Sequence, residues 1–148
     1  QMCIRDSANL FTDLLSLLHQ QKVDYTSFFR TLSSLPQNKL SDASTPIHSL
    51  CTAPDACNDW LARYQQRLLA ENSQDEPRHL LMRQHNPKFI LRTYLAQDAI
   101  ALAEQHDFSA IERLLRVLES PYDEHADDAV LAEAPPKDAE GIVVSCSS

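Results

Sequence analysis

An all-α fold is predicted by three features of the sequence. Glycine occurs once in 148 residues, at Gly141, which removes most tight turns and every glycine-rich phosphate loop, because those need backbone at positive φ or in close approach to a ligand. Apolar residues recur three and four apart in successive segments, the spacing that puts them on one helical face. Capping residues and prolines of the kind that start and stop helices punctuate those segments.

Leu10, Phe11, Leu14, Leu15, Leu17 and Leu18 predict an amphipathic helix over residues 9–21. Asp24 caps the next, which carries Phe28, Phe29, Leu32 and Leu35 before Pro36 stops it. The two are expected to form a hairpin. Residues 36–53, rich in Ser, Thr, Pro, Asn and Asp, read as loop. A third helix over residues 55–71 aligns Cys57, Trp60, Leu61, Tyr64 and Leu68 on one stripe, and a short one follows at 76–84. Asn86-Pro87 then reads as the cap and first turn of a long helix reaching residue 105, with Phe89, Ile90, Leu91, Tyr94, Leu95, Ala99 and Leu102 as its apolar face. Ser109 and Glu112 are spaced as a capping box for a last helix that Ser120-Pro121 closes. Beyond it the helical pattern is lost, and Ile142-Val143-Val144 is short enough for a strand or an extended anchor.

Composition narrows the function classes. The net charge of −8 opposes general binding to nucleic acid phosphates. Residues 121–148 hold seven acids against Lys137, so this end reads as an extended acidic tail, solvated or conditionally ordered. Neither GxGxxG nor GxxxxGK[ST] occurs, so both common nucleotide cradles are absent. No apolar stretch reaches the length of a membrane span. The four cysteines, Cys3, Cys51, Cys57 and Cys146, are too sparse for a secreted disulfide scaffold, and a reducing, cytoplasmic setting is expected.

Several clusters invite chemistry and have plainer readings. His48, Cys51 and Cys57 could supply zinc ligands, but no fourth ligand or paired knuckle accompanies them, and Cys57 fits packing on the Trp60 face. Asp123, Glu124, Asp127 and Asp128 could attract a divalent ion, though nothing in the stretch focuses their oxygens. Arg63, Arg67, Arg83 and Arg92 could hold phosphate, although arginines on helix surfaces usually pair with carboxylates. His79, His85 and His106 near helix ends are read as solvated or bonded to terminal carbonyls. No nucleophile, base and oxyanion donor are identified by spacing, so no catalytic, cofactor-binding or metal-binding residues are assigned. Cys146, two residues from the end, is judged by its chemistry. An idle, solvated thiol is the alternative to a reactive one.

Three stretches taken together resemble one family. They are Asp24-Tyr25-Thr26-Ser27-Phe28-Phe29-Arg30-Thr31-Leu32, then Asn86-Pro87-Lys88-Phe89-Ile90-Leu91-Arg92-Thr93-Tyr94-Leu95-Ala96-Gln97-Asp98-Ala99-Ile100, and the terminal Ser145-Cys146-Ser147-Ser148. In this order they look like the carboxy-terminal part of the protein adenylyltransferase SelO family (selenoprotein O, YdiU in bacteria), over residues 8–148. The resemblance implies a helical carboxy-terminal lobe segment of a kinase-like, pseudokinase fold that moves AMP from ATP, with Mg or Mn, to Ser, Thr or Tyr hydroxyls of proteins. It places the ATP site, catalytic aspartate and metal ligands upstream of these residues. Cys146 stands where some members carry selenocysteine, which implies a redox-regulatory role. Lys137-Asp138-Ala139 departs from the family's usual Trp-Gly after Pro-Pro-x, and Gln1 to Ser7 does not continue the pattern and reads as non-native linker, so Cys3 is set aside.

The expectation is therefore a linker over residues 1–7, a helical region over 8–120 and an acidic tail over 121–148, inactive alone. Its expected partners are the catalytic part of the same parent chain and the parent's protein substrates, with no nucleic acid or membrane. Apolar helix faces without their partner predict aggregation or partial unfolding. A free-standing helical module that binds a partner helix is the alternative. A redox protein pairing Cys146 with Cys51 or Cys57 ranks last, since no CxxC is present.

Overall fold

The computed structural model describes residues 4–135, with side chains from Ser7 onward. The described residues are all-helical, without strands. The chain divides after Asn86 into two units, each with its own core.

The first unit holds α1 (Ile4–Gln20), α2 (Tyr25–Leu32), a 3-10 turn (Gln37–Lys39), α3 (Pro46–Leu50), α4 (Pro54–Ala70) and α5 (Asp75–His85). The stripe expected on α1 is buried through Leu14 and Leu18, which join Phe28, Leu32, Ile47, Trp60 and Leu61 in one cluster. Contrary to the expected hairpin, the main partner of α1 is α4 and that of α2 is α3. The indole Nε1–H of Trp60 donates to the Leu10 carbonyl (2.8 Å) and fastens α4 to α1. Asp24 caps α2 as predicted, its Oδ2 accepting from the backbone N–H of Ser27 at 2.9 Å.

The stretch read as loop over residues 36–53 contains two short helical pieces. Pro46 opens α3 at its first turn, and burial of Leu40 and Ile47 holds the stretch to the core. Five residues carry too few turns to show a period. Against it, α5 docks through Arg78, which donates to the Leu35 carbonyl (3.2 Å) and to Asp75 Oδ1 (2.5 Å). The Asp75 carboxylate also accepts from the backbone N–H of Gln37 at 2.9 Å. That bond first, then Arg78, holds its pKa below the ordinary carboxylate value.

The second unit holds α6 (Thr93–Ala103), α7 (Ser109–Glu119) and a 3-10 segment (Ala126–Ala132). Leu95, Ala99 and Leu114 form its core, with Tyr94, Ala110 and Leu131 packed against it. The long helix expected from Asn86-Pro87 begins only at Thr93. The N–H groups of Lys88 and Phe89 both donate to the Pro121 carbonyl (2.8 and 3.2 Å), which keeps residues 87–92 out of the helix and buries Phe89. The capping box is also replaced. Phe108 is the N-cap of α7 without a side-chain bond, and Asp107 Oδ1 accepts from the N–H of Ser109 at 3.0 Å.

With so little glycine, three helix ends put other residues in the left-handed region, namely Lys22 (φ 52°), Asn72 (φ 51°) and His106 (φ 63°). Each closes a Schellman turn, seen in Val23 N–H to Leu18 O (2.9 Å), Ser73 N–H to Leu68 O (3.0 Å) and Asp107 N–H to Leu102 O (3.0 Å). A side chain with a Cβ is unfavourable at this φ by about 1–2 kcal/mol, of which glycine's freer unfolded chain returns a part. Lys22→Gly is therefore expected to stabilise the first unit by about 0.5 kcal/mol, read as a higher urea midpoint in Trp60 fluorescence.

Candidate functional site

The first unit contains two adjoining grooves that share Tyr64, Leu68, Glu71 and Met82. One, of about 300 Å³, lies among Leu10, Phe11, Phe29 and Trp60. The other, of about 520 Å³, is bounded by Pro77, Arg78 and Leu81. Their walls follow from the packing of α4. Trp60 and Tyr64, one turn apart, stack with ring centroids 5.2 Å apart, and burial raises the Tyr64 phenol pKa. Arg67 pairs with Glu71 across one turn. Such grooves can take apolar side chains with a polar margin. The named lining residues contain no cysteine, serine nucleophile and base set.

The His48, Cys51 and Cys57 group weighed for zinc resolves differently. Cys51 and Cys57 are joined by a disulfide with Cα atoms 6.8 Å apart. This corrects the expectation of reduced thiols and of Cys57 as a packing residue alone. His48 stays outside the bond. Gln21, at the end of α1, brackets the disulfide loop through Ala53, accepting its N–H at Oε1 (3.0 Å) and donating from Nε2 to its carbonyl (3.4 Å). No pattern in the sequence signals this clamp, whose partners lie 32 residues apart.

Among the described residues no three His, Cys, Asp or Glu side chains gather where they could hold a metal ion. The acidic stretch shows why. Asp128 is buried, not solvated, and its carboxylate is taken by Arg113 Nε (2.8 Å) and Arg116 Nη1 (3.2 Å). Glu124 pairs with Lys88 at 3.0 Å. Two of the four carboxylates of this stretch are thus held by basic side chains. The arginines considered for phosphate are engaged as well. Arg63 pairs with Asp13 (2.8 Å), Arg67 with Glu71, and Arg83 donates to Ser34 Oγ (3.2 Å), while Arg92 is buried at the start of α6. His79 Nε2 lies 2.9 Å from the Leu35 carbonyl, a carbonyl bond in place of solvation. His106 holds the left-handed position after α6, and His85 is exposed in the last turn of α5. Cys146 and Ile142-Val143-Val144 lie outside the described residues.

Arg113 first, by its hydrogen bond, and then the charges of Arg113 and Arg116 hold the Asp128 pKa low, against the burial that would raise it. A depressed native pKa contributes stability above the unfolded carboxylate value of about 3.9, and this is lost as pH falls through the native value. Protection of α7 amides is expected to fall in that acid range, and Asp128→Asn to show low protection at neutral pH with little further acid dependence. Equal acid sensitivity of both proteins would remove Asp128 as the cause.

The comparisons with known proteins agree with one another. The family model described as protein adenylyltransferase SelO matches residues 1–119. The match begins at residue 1, and α1 starts at Ile4, within the stretch read as linker. The protein nucleotidyltransferase YdiU of Myxococcus xanthus is 41% identical over 143 residues, covering 97% of this chain and 29% of the relative. That of Photobacterium profundum is 45% identical over 149 residues, covering 94% of this chain and 29% of the relative. That of Thioalkalivibrio sulfidiphilus is 45% identical over 145 residues, at 97% and 29%. The chain thus spans less than a third of the length of these relatives. With a family match that extends over most of its residues, the chain belongs to the protein adenylyltransferase SelO family.

Proposed function

We infer that the chain is the carboxy-terminal helical part of a protein adenylyltransferase, and that it supports an AMP-transfer site contributed by other residues of the parent protein. The observation that carries this reading is the family membership, combined with a span of 29% of the relatives. In the parent, AMP passes from ATP to protein Ser, Thr or Tyr hydroxyls, with Mg or Mn as the divalent ion. The contribution of these residues is structural. Among the described residues no helix is long and apolar enough to cross a membrane; the setting proposed for the parent is cytoplasmic.

Support for packing against a larger body comes from the surface. In the first unit Phe11 and Leu81, which line the grooves, are exposed, as are Leu69 and Leu80. In the second, Leu91, Ile100, Phe108 and Leu115 are exposed. Isolated exposed apolar residues are ordinary, but this density fits faces that meet further chain. Cys146 serves as the redox-regulatory thiol of the parent.

The reading is tested by exchanging residues 8–148 for the equivalent stretch of the full-length Photobacterium relative. Transfer of labelled AMP to protein is expected to persist in the chimera. A folded chimera without transfer would count against it. In the same background, Cys146→Ser is expected to abolish any change of activity under oxidant, and an unchanged oxidant response would remove the role of Cys146.

A further inference from the structure

We propose that Cys51 and Cys57 form a reversible dithiol–disulfide device that governs the opening of the α3 segment, independent of Cys146 and beyond the AMP-transfer reading. The segment between Leu40 and the start of α4 is weakly held by itself. Helix α3 has five residues, far below the length at which a helix supports itself. Two buried polar atoms in it, Thr45 Oγ1 and His48 Nε2, meet no hydrogen-bond partner, and each such group weakens the closed state. Opening is opposed by the burial of Leu40 and Ile47, the Ser41 Oγ–H bond to Gln65 Oε1 on α4 (2.6 Å), the Gln21 clamp on Ala53, and the disulfide.

Both redox states fit the fold. Cys57 is almost fully buried in the first turns of α4, and its Sγ lies 3.9 Å from Gln21 Oε1. A Cys57 thiol therefore has an acceptor in place. Cys51, at the C-cap of α3, is the less buried of the two. With a monothiol such as glutathione as reductant, its thiolate attacks Cys51 Sγ, forming a mixed disulfide there and breaking the Cys51–Cys57 bond. Cys57 leaves as thiolate and takes a proton. A second monothiol attacks the outer sulfur of the mixed disulfide, releasing the Cys51 thiol and a monothiol disulfide. Two electrons pass from two monothiols to the protein, and the reverse sequence restores the bond. Reduction removes the covalent tether and leaves the non-covalent ones.

The sequence makes the state easy to read. Trypsin cleavage after Lys39 and Arg63 places Cys51 and Cys57 on one peptide, apart from Cys3 and Cys146. The native 148-residue chain is equilibrated in glutathione buffers of graded ratio, alkylated, and mapped by mass. Peptide 40–63 is expected to pass from unalkylated to doubly alkylated without denaturant. Amides of residues 46–53 are expected to exchange about tenfold faster in the reduced chain, the order of effect of a short disulfide loop on local opening, while those of α5 keep their rates. The doubly substituted Cys51→Ser, Cys57→Ser chain should match the reduced wild type in every buffer. Should that variant not fold, the wild-type arms still decide. A peptide that stays doubly alkylated in oxidising buffer, one that is reduced only after denaturation, or exchange unchanged by reduction would each overturn the proposal.

Discussion

Phe28→Ala is expected to destabilise the first unit by about 3–5 kcal/mol, the range for emptying a fully buried phenylalanine site. Phe28 has no exposed surface. Its ring meets Phe29 edge-on at 5.8 Å and Trp60 at 6.2 Å, so its removal costs transfer energy and two aromatic contacts as well as a cavity. Its neighbours cannot easily close the gap. Leu14, Leu18, Leu32 and Leu61 in the same cluster are themselves buried and come from three different helices. Chemical unfolding followed by Trp60 fluorescence reports the change, because Trp60 is the single tryptophan of the chain. A loss under about 1 kcal/mol would mean that the core relaxes around the vacancy and is not packed as described.

Trp60→Ala should cost a similar amount, about 3–5 kcal/mol, for a different mixture of reasons. The indole is mostly buried, stacks on Tyr64, and donates to the Leu10 carbonyl. Trp60→Phe separates these contributions. It keeps a ring but loses the donor and part of the bulk, and is expected to cost about 1–2 kcal/mol. Both variants lack the fluorophore, so far-UV circular dichroism in urea is the measurement. If Trp60→Phe proved as damaging as Trp60→Ala, the bond to Leu10 and not the packing would dominate the joint between α1 and α4.

What could be read from the sequence was the local part of the fold. The bounds of α4 and α5 were expected at 55–71 and 76–84 and lie at Pro54–Ala70 and Asp75–His85, because periodicity and first-turn residues are properties of neighbouring positions. Asp24 acts as a cap for the same reason. The failures were settled by distant partners. Residues 87–92 stay out of α6 because Pro121 holds the N–H groups of Lys88 and Phe89 from more than thirty residues away. Asp128 reads as one more acid in a charged tail until α7 presents Arg113 and Arg116 to it. The site readings divide along the same line. Nothing in the spacing of Cys51 and Cys57 distinguishes a zinc pair from a disulfide, and the Gln21 clamp joins residues that no periodic pattern connects. The family resemblance, by contrast, rests on runs of adjacent residues, which the sequence displays without any knowledge of contacts.

On the proposed function, these residues support AMP transfer in the parent protein without performing it. The direct test incubates the purified 148-residue chain with ATP labelled in its α-phosphate, Mg and an acceptor protein rich in exposed Ser, Thr and Tyr, then measures label bound to protein. No more label than in a reaction without the chain is expected. Label that appears on the acceptor or on the chain itself, and increases with the amount of chain added, would contradict it.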